Sequence, residues 1–509
     1  MDDVETRFEQ LQRELVALWK LIGRSDPGGP LEDANTVVVV PSLNVDVDLP
    51  SSVLQAYEER FLFMLFLLRQ PLIRLIYVTS QAIPPGIVDY YLHILPGAVI
   101  SNTRKRLSLV APLDASSRPL TQKLLERPRL LQEIRSLIPD PARAHIVPFS
   151  TTELERELAV RLGIPMYAAD PRFFAFGTKS GCRRIFAEEG VPHPLGVEDL
   201  FSADEIVGAI AGMRAQMPSM RRVIVKLNEG VSGMGNAVVD LEGLPSPGDP
   251  TERAALAERL RGMRYELPSI QYESYVAKVV ARGAIVEEMI VGEQIESPSA
   301  QLRVSPLGDV ELLSTHDQML GGPSGQSYLG ARFPANPAYA PQIMRAAAKI
   351  GQRFAREGIV GRFAIDFVVV RLGDGGWEPF AIEVNLRKGG TTHPFLTLQY
   401  LTDGAYHPER GVFTTARDHE KSYVASDHVE SPSYRALTPD ALFDIVSRHR
   451  LHFDHTSQTG VVMHMLSCVS SLGRLGVTAI ADTPAEANAL YQKFVAVLDE
   501  EARLALEGI

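Results

Sequence analysis

Asp366, Glu383 and Asn385 are three oxygen-bearing side chains set in otherwise apolar strand patterns, and the chemistry they suggest is cation binding. Glu383 and Asn385 stand two apart in AIEVNLRKGGTTHPF, Ala381 to Phe395. In a β-strand, side chains two apart share a face, so both would look into one space while Ile382 and Val384 turn to the core. A carboxylate and an amide oxygen suit Mg²⁺, which keeps several waters and shares its shell with substrate phosphates. Arg387 continues the same parity if the strand runs that far. Asp366 lies in RFAIDFVVV, where burying an unpaired carboxylate would be costly. A cation shared with Glu383 and Asn385 removes that cost, and the turn LGDGGWEP makes the two strands hairpin neighbours. The structural alternatives are a polar turn at a strand end and a lone salt-bridged aspartate.

A second group of residues suggests phosphate binding. VIVKLNEGVSGMGN places Lys226 at the end of a β-branched strand, with Ser232, Gly233, Met234, Gly235 and Asn236 in the loop that follows. Glycines let backbone N–H groups approach phosphate oxygens, and lysine adds a compact positive charge. The spacing is neither GxxxxGK[ST] nor GxGxxG, and a plain hairpin turn is the alternative. Lys179 begins a helix in FGTKSGCRRIFAEEGVPHP that stops at Gly190. QYESYV is read as an extended edge, in which Glu273, Ser274, Tyr275 and Val276 would offer adenine a backbone donor and acceptor beside apolar walls. His316 and Asp317 invite a proton relay with His393, but a loop histidine is more often a hydrogen-bond partner, and His316 is assigned to substrate contact. No GxSxG element supports a serine nucleophile.

The elements that position these residues follow from length and pattern. At 509 residues the chain exceeds one ordinary core. With 45% hydrophobic and 22% charged residues it has the composition of a globular protein, neither disordered nor collagenous. Cys182 and Cys468 are the only cysteines, so a disulfide framework or cysteine-rich zinc site is excluded, as expected of a reducing cytoplasm. The acidic start MDDVETRFEQ lacks signal-peptide character, and FLFMLFLL, Phe61 to Leu68, is too short to span a bilayer and reads as a buried helix. A net charge of -11 argues against general binding to nucleic acid or to anionic membranes. Val4, Phe8, Leu11, Leu15, Leu18 and Ile22 form a heptad-like seam, assigned to packing within the chain, with a homodimer contact as the lesser alternative. TVVVV, LIRLIYVTS and HIVPF, separated by helical segments, predict a parallel α/β layer, and a helix from Thr151 to Leu162 should stop at Gly163. IVEEMIV, QLRVS and VELLS predict an antiparallel meander, followed by a helix from about Ala340 to Glu357. ALFDIVSRHR and AEANALYQKFVAVLDEEARLAL read as C-terminal helices.

The ordered set of a lysine before GVPHP, VIVKLNEG with its glycine loop, YESYV, an aspartate strand and EVNLR resembles the ATP-grasp superfamily over about Arg172 to Pro394. Within it the chain is most similar to peptide ligases of the pheganomycin-biosynthesis type. VTSQAIPPGIVDYYLHILPG resembles their pre-ATP-grasp domain, LHFDHTSQTGVVMHMLSCVSSLGRLGVTAIADTP their C-terminal domain, and STHDQMLGGPSGQSYLGARFP and NLRKGGTTHPF further parts of that group. The resemblance implies an α/β (α+β) chain: an N-terminal helix at 1–30, a pre-ATP-grasp α/β domain at 31–168, a two-lobed ATP-grasp domain at 169–425 and a small α+β domain at 434–509. It implies ATP and Mg²⁺ as cofactors. Lys179, Lys226 and the loop 232–236 would hold the phosphates, 273–276 the adenine, and Asp366, Glu383 and Asn385 the metal. Arg387, with Arg303 and Arg362, would be catalytic. Gln301, His316, Gln318, Lys388 and Gly389 would contact substrate. The implied reaction joins a small carboxylate, an amino acid or a modified one, to an amine on an amino acid or peptide. A non-catalytic ATP-binding scaffold and a grasp-type kinase are the alternatives.

Overall fold

The computed structural model describes residues 2–22, 35–44, 50–97, 99–230, 235–266, 270–321, 325 and 327–507. Its first sheet is covered on both faces, and its central strand shows why. In β1 (Asn35–Val40) all six residues are buried, with Val37 and Val39 in one apolar core and Val38 and Val40 in another. A strand that is apolar on both faces needs helices on both, the condition under which parallel sheets form. β2 (Ile73–Val78), β3 (Leu107–Val110) and β4 (Ala144–Pro148) pair with it in parallel, in the order β3-β2-β1-β4. The predicted runs are β1, β2 and β4. β3, LSLV, is only four residues long and fully buries only Val110, so no pattern announces it.

FLFMLFLL lies in a buried 3₁₀ helix, Arg60–Arg69. The N-terminal helix, Asp2–Ile22, buries Phe8, Leu15 and Leu18 within this chain. The helix Glu153–Leu162 opens with a capping box between Thr152 and Glu155 and ends at Gly163 in the left-handed conformation, as predicted. Cys182 and Cys468 are buried and unpaired. No helix among the described residues is long and apolar enough to cross a membrane.

A small antiparallel sheet comes next: β5 (Gly196–Leu200), β6 (Arg222–Leu227), β7 (Asn236–Asp240), β8 (Arg264–Tyr265) and β9 (Ala284–Glu288), in the order β5-β9-β6-β7-β8. The chain then crosses at 289–294 to a larger sheet. That sheet contains β10 (Ile295–Glu296), β11 (Pro298–Val304), β12 (Val310–Gly321), β13 (Ser327–Phe333), β14 (Gly361–Arg371) and β15 (Trp377–Asn385). After a hairpin of β16 (Ala405–His407) and β17 (Val412–Thr414), it continues through β18 (Ser422–Glu430), β19 (Gly460–His464) and β20 (Arg474–Ala481).

QLRVS and VELLS do pair antiparallel, as β11 and β12. IVEE does not join them: as β9 it pairs with β5 and β6 in the small sheet. The helix Ala340–Glu357 buries Ile343, Ala347, Ile350 and Phe354, and its Phe354 ring lies 4.9 Å from Phe363 of β14. β18 pairs with β13 on one side and β20 on the other, so the C-terminal segment extends the same sheet.

Candidate functional site

The β14–β15 hairpin brings the predicted acids together. Asp366 faces Glu383 and Ala364 faces Asn385 across the ladder. A bulge at Ile382 shifts the register, so Ala381 and Val384 are the buried pair and Ile382 is only half-buried. Asp366 Oδ1 accepts from Gln318 Nε2 at 2.8 Å, and Oδ2 from Asn385 Nδ2 at 2.9 Å. Gln318, read as a substrate residue, thus stands beside the carboxylate pair. A cation at the pair would be met by the Asn385 amide oxygen after a flip of the amide.

Burial, and then the neighbouring Glu383 charge, raise the Asp366 carboxyl to about 6. With an unfolded value of about 3.9, the folded chain loses stability as the pH rises from about 4 to about 6, where the unfolded chain ionises and the folded one stays protonated; the loss is complete above about 6 and absent below about 4. Asp366→Asn is therefore expected to stabilise the ligand-free chain by about 2 kcal/mol at pH 8, with little gain at pH 4. Thermal unfolding at the two pH values checks this; equal gains would show that the site does not strain this carboxylate.

Two lysines reach the site from the small sheet's side. Lys179, the first residue of the helix Lys179–Glu188, places Nζ 2.6 Å from Glu383 Oε1, so one ion pair ties this helix to the large sheet. Lys226 of β6 lies 2.5 Å from Glu287 Oε2, and Arg183 Nη1 lies 2.8 Å from the other oxygen of that carboxylate. Burial alone would raise the Glu287 carboxyl, but Lys226 and Arg183 outweigh it and hold the group below its ordinary range. Glu287 and Arg183 were not singled out from sequence, although two adjacent acids inside IVEEMIV are a signal that could have found them. Ser232, Gly233 and Met234 lie outside the described residues. Gly235 and Asn236 end the loop beside β6, with Asn236 opposite Lys226 and Gly235 O accepting from Leu227 N.

Two readings are corrected. Glu273, Ser274, Tyr275 and Val276 are not an extended edge; they lie in the first turns of the α-helix Tyr272–Arg282. Tyr272, Tyr275 and Val279 carry the helical spacing, and the Tyr275 hydroxyl donates towards Val225 O and Gly235 O at 3.2 and 2.9 Å, bracing the glycine loop. His316 is not in a loop. It lies fully buried in β12, against the Phe333 ring and bonded through Nε2 to the Tyr423 hydroxyl, and therefore belongs to the core.

Arg387 follows the end of β15 and packs against Phe149, its guanidinium carbon 5.7 Å from the ring centre. Burial lowers its pKa, Glu383 and Asp366 oppose that, and Arg60 adds to it. Arg60 packs on the same ring, its guanidinium carbon 5.8 Å from the ring centre. Gln301 and Arg303 on β11 face Ala364 and Arg362 on β14, sharing the Asp366 face but farther along it. Arg303 pairs with Glu311. Among the described residues, Arg362 Nη1 and Gln301 Nε2 are buried without a hydrogen-bond partner, while Gln301 Oε1 accepts from Thr392. Lys388 donates to Pro148 O at 2.6 Å, and burial followed by Arg362 lowers its amine to about 7. Gly389 N bonds Thr392 Oγ1, fixing the turn after Arg387.

Residues 173–259 and 253–405 match the family described as IQCH-like, ATP-grasp, and residues 441–494 match the PGM1 C-terminal domain. Over 447 residues the chain is 31% identical to L-propargylglycine–L-glutamate ligase of Streptantibioticus cattleyicolor, covering 86% of this chain and 89% of that one. It is 24% identical over 344 residues to IQ motif-containing protein H of Danio rerio, covering 59% of this chain and 32% of that one. Two solved structures share the fold. N5-carboxyaminoimidazole ribonucleotide synthetase in its ADP complex superposes with TM-score 0.51 at 12% identity, over 92% of this chain and 97% of the other. Biotin carboxylase of Campylobacter jejuni in its β,γ-ATP complex superposes with TM-score 0.52 at 12% identity, over 90% of each chain.

Proposed function

The chain belongs to the ATP-grasp family, and from that premise we propose that it is an ATP-dependent carboxylate–amine ligase forming an amide through an acyl phosphate, with release of ADP and phosphate. The observation that carries this reading is the meeting of Lys179, Glu383, Asp366 and Arg387, which joins phosphate-binding, cation-binding and anion-stabilising groups in one place. The paired carboxylates fit Mg²⁺, because a divalent ion offsets both the burial and the neighbouring Glu383 charge that raise Asp366. Asp366, Glu383 and Asn385 would hold the ion, which when bound would supply positive charge against the nucleotide phosphates. Lys179 and Lys226, now paired with Glu383 and Glu287, would turn to the nucleotide phosphates. The segment 289–294, where the backbone passes from the small sheet to the large one, takes the adenine role first given to 273–276, with half-buried Met289 and Ile290 as its apolar wall. Arg387 faces the carboxylate that receives the phosphoryl group, and the residues around Gln301, Arg362 and Lys388 bind the organic substrates.

The name of the similar ligase supports an amino acid as carboxylate donor and another as amine acceptor. Use of ATP as substrate supports a cytoplasmic reaction. Amine-dependent phosphate release, screened over amino acids and short peptides, tests the reading; ATP turnover with no amine requirement under any pairing would count against it.

Lys226→Ala is expected to weaken ATP binding by about 100-fold, the order of a lost contact between charged groups. Glu287 keeps Arg183 as partner, so the fold should survive. Calorimetry showing unchanged ATP affinity in a folded variant would remove Lys226 from the site.

A further inference from the structure

His393, Asp427 and His464 come from three separate stretches and meet in the interior, each no more than 4% exposed. His393 lies in the helix Thr392–Thr402, Asp427 on β18, and His464 at the end of β19. His464 Nε2 is 2.7 Å from Asp427 Oδ1 and 3.1 Å from His393 Nε2, and His393 Nε2 is 3.3 Å from the same carboxylate oxygen. Among the described residues, no other three His, Cys, Asp or Glu side chains converge so closely.

Protons cannot satisfy this triangle. Arg60 pairs with Asp427 Oδ2 at 2.5 Å and keeps the carboxylate ionised, so Oδ1 can only accept. Both imidazoles would then have to donate from Nε2, which sets donor against donor across 3.1 Å. A ring bare at Nε2 sets acceptor against acceptor beside Oδ1 instead. Every proton assignment leaves one contact between like groups.

A cation removes the conflict, and the distances admit one. The three atoms lie on a circle of radius about 1.8 Å, smaller than a zinc–nitrogen bond of about 2.0–2.1 Å, so a point just outside their plane is at bonding distance from all three. Two imidazoles and one carboxylate are ligands for a transition ion, whereas Mg²⁺ prefers oxygen. Arg60 fixes the carboxylate from behind, as outer partners of metal ligands do. At Gly476 of β20 a Cβ would stand 2.0 Å from His464 Nε2, so the strand passes the ring only because it has no side chain there.

We propose that His393, Asp427 and His464 bind a divalent transition-metal ion, best matched by zinc, at a site separate from the Asp366–Glu383 pair. Three protein ligands leave a coordination position open. The ion would tie β18 and β19 to the helix that follows the Arg387 turn.

The full chain, purified without chelator or nickel affinity resin and kept in excess Mg²⁺ to fill the oxygen site, is expected to hold about one equivalent of zinc or another first-row ion by plasma mass spectrometry. After stripping, added Co²⁺ should give the intense visible absorption of a low-coordinate site. His464→Gln and Asp427→Asn should each weaken Co²⁺ binding by at least roughly 100-fold. Metal-free protein whose cobalt spectrum is that of the hydrated ion would overturn the proposal. So would unchanged cobalt affinity in a folded His464→Gln chain, because the ion would then lie elsewhere. Should a variant fail to fold, the stoichiometry and spectrum of the unaltered chain decide the matter, and neither readout depends on ligase activity.

Discussion

Arg387→Ala is expected to slow amide synthesis by about 1,000-fold while changing ATP affinity by less than about threefold. The guanidinium lies beyond the end of β15, packed on Phe149 and influenced by Glu383 and Asp366. Its partner charge develops as the acyl phosphate forms and as amine attack builds the tetrahedral adduct, and donors held in place for that charge matter most in the transition state. Lysine at the same position would keep a charge but lose the planar fork and the packing on the ring, so Arg387→Lys should recover only part of the rate. Steady-state rates together with calorimetry separate the two effects. A parallel fall in ATP affinity would make Arg387 a nucleotide ligand; an unchanged rate would remove it from the reaction.

Glu383→Ala should bring amide synthesis down to the uncatalysed background. Glu383 faces Asp366 across the hairpin and holds Lys179 at 2.6 Å, so its loss removes a cation ligand and frees a phosphate-side lysine at once. Adenine, which we propose is seated on the backbone at 289–294, should still bind, and ADP measured without Mg²⁺ should keep most of its affinity. With Mg²⁺ present, the unaltered chain should gain nucleotide affinity and the variant should not. Wild-type turnover in the variant would end the magnesium assignment.

Much of this site was legible because it rests on local periodicity. Period-two alternation put Glu383 and Asn385 on one face, and a short turn made Asp366 their neighbour; only the bulge at Ile382, which no spacing announces, broke the expected parity. QYESYV misled for the opposite reason. Six residues rich in Tyr and Val satisfy a strand pattern, and the helical spacing of Tyr272, Tyr275 and Val279 shows only when the window extends to Arg282. IVEE was read correctly as a strand and given to the wrong sheet, because its partners β5 and β6 lie far back in the chain and no local spacing marks that pairing. Arg60 and Asp427, 367 positions apart, meet only through tertiary packing, as do His393 and His464. No local pattern carries such contacts.

The central claim is transfer of the γ-phosphoryl group to a carboxylate before an amine displaces it. With a carboxylate substrate labelled with heavy oxygen, amide formation should move one labelled oxygen into inorganic phosphate, with ADP formed in equal amount. AMP as the stoichiometric product with label in AMP, or a stable phosphorylated product with no amide, would contradict it.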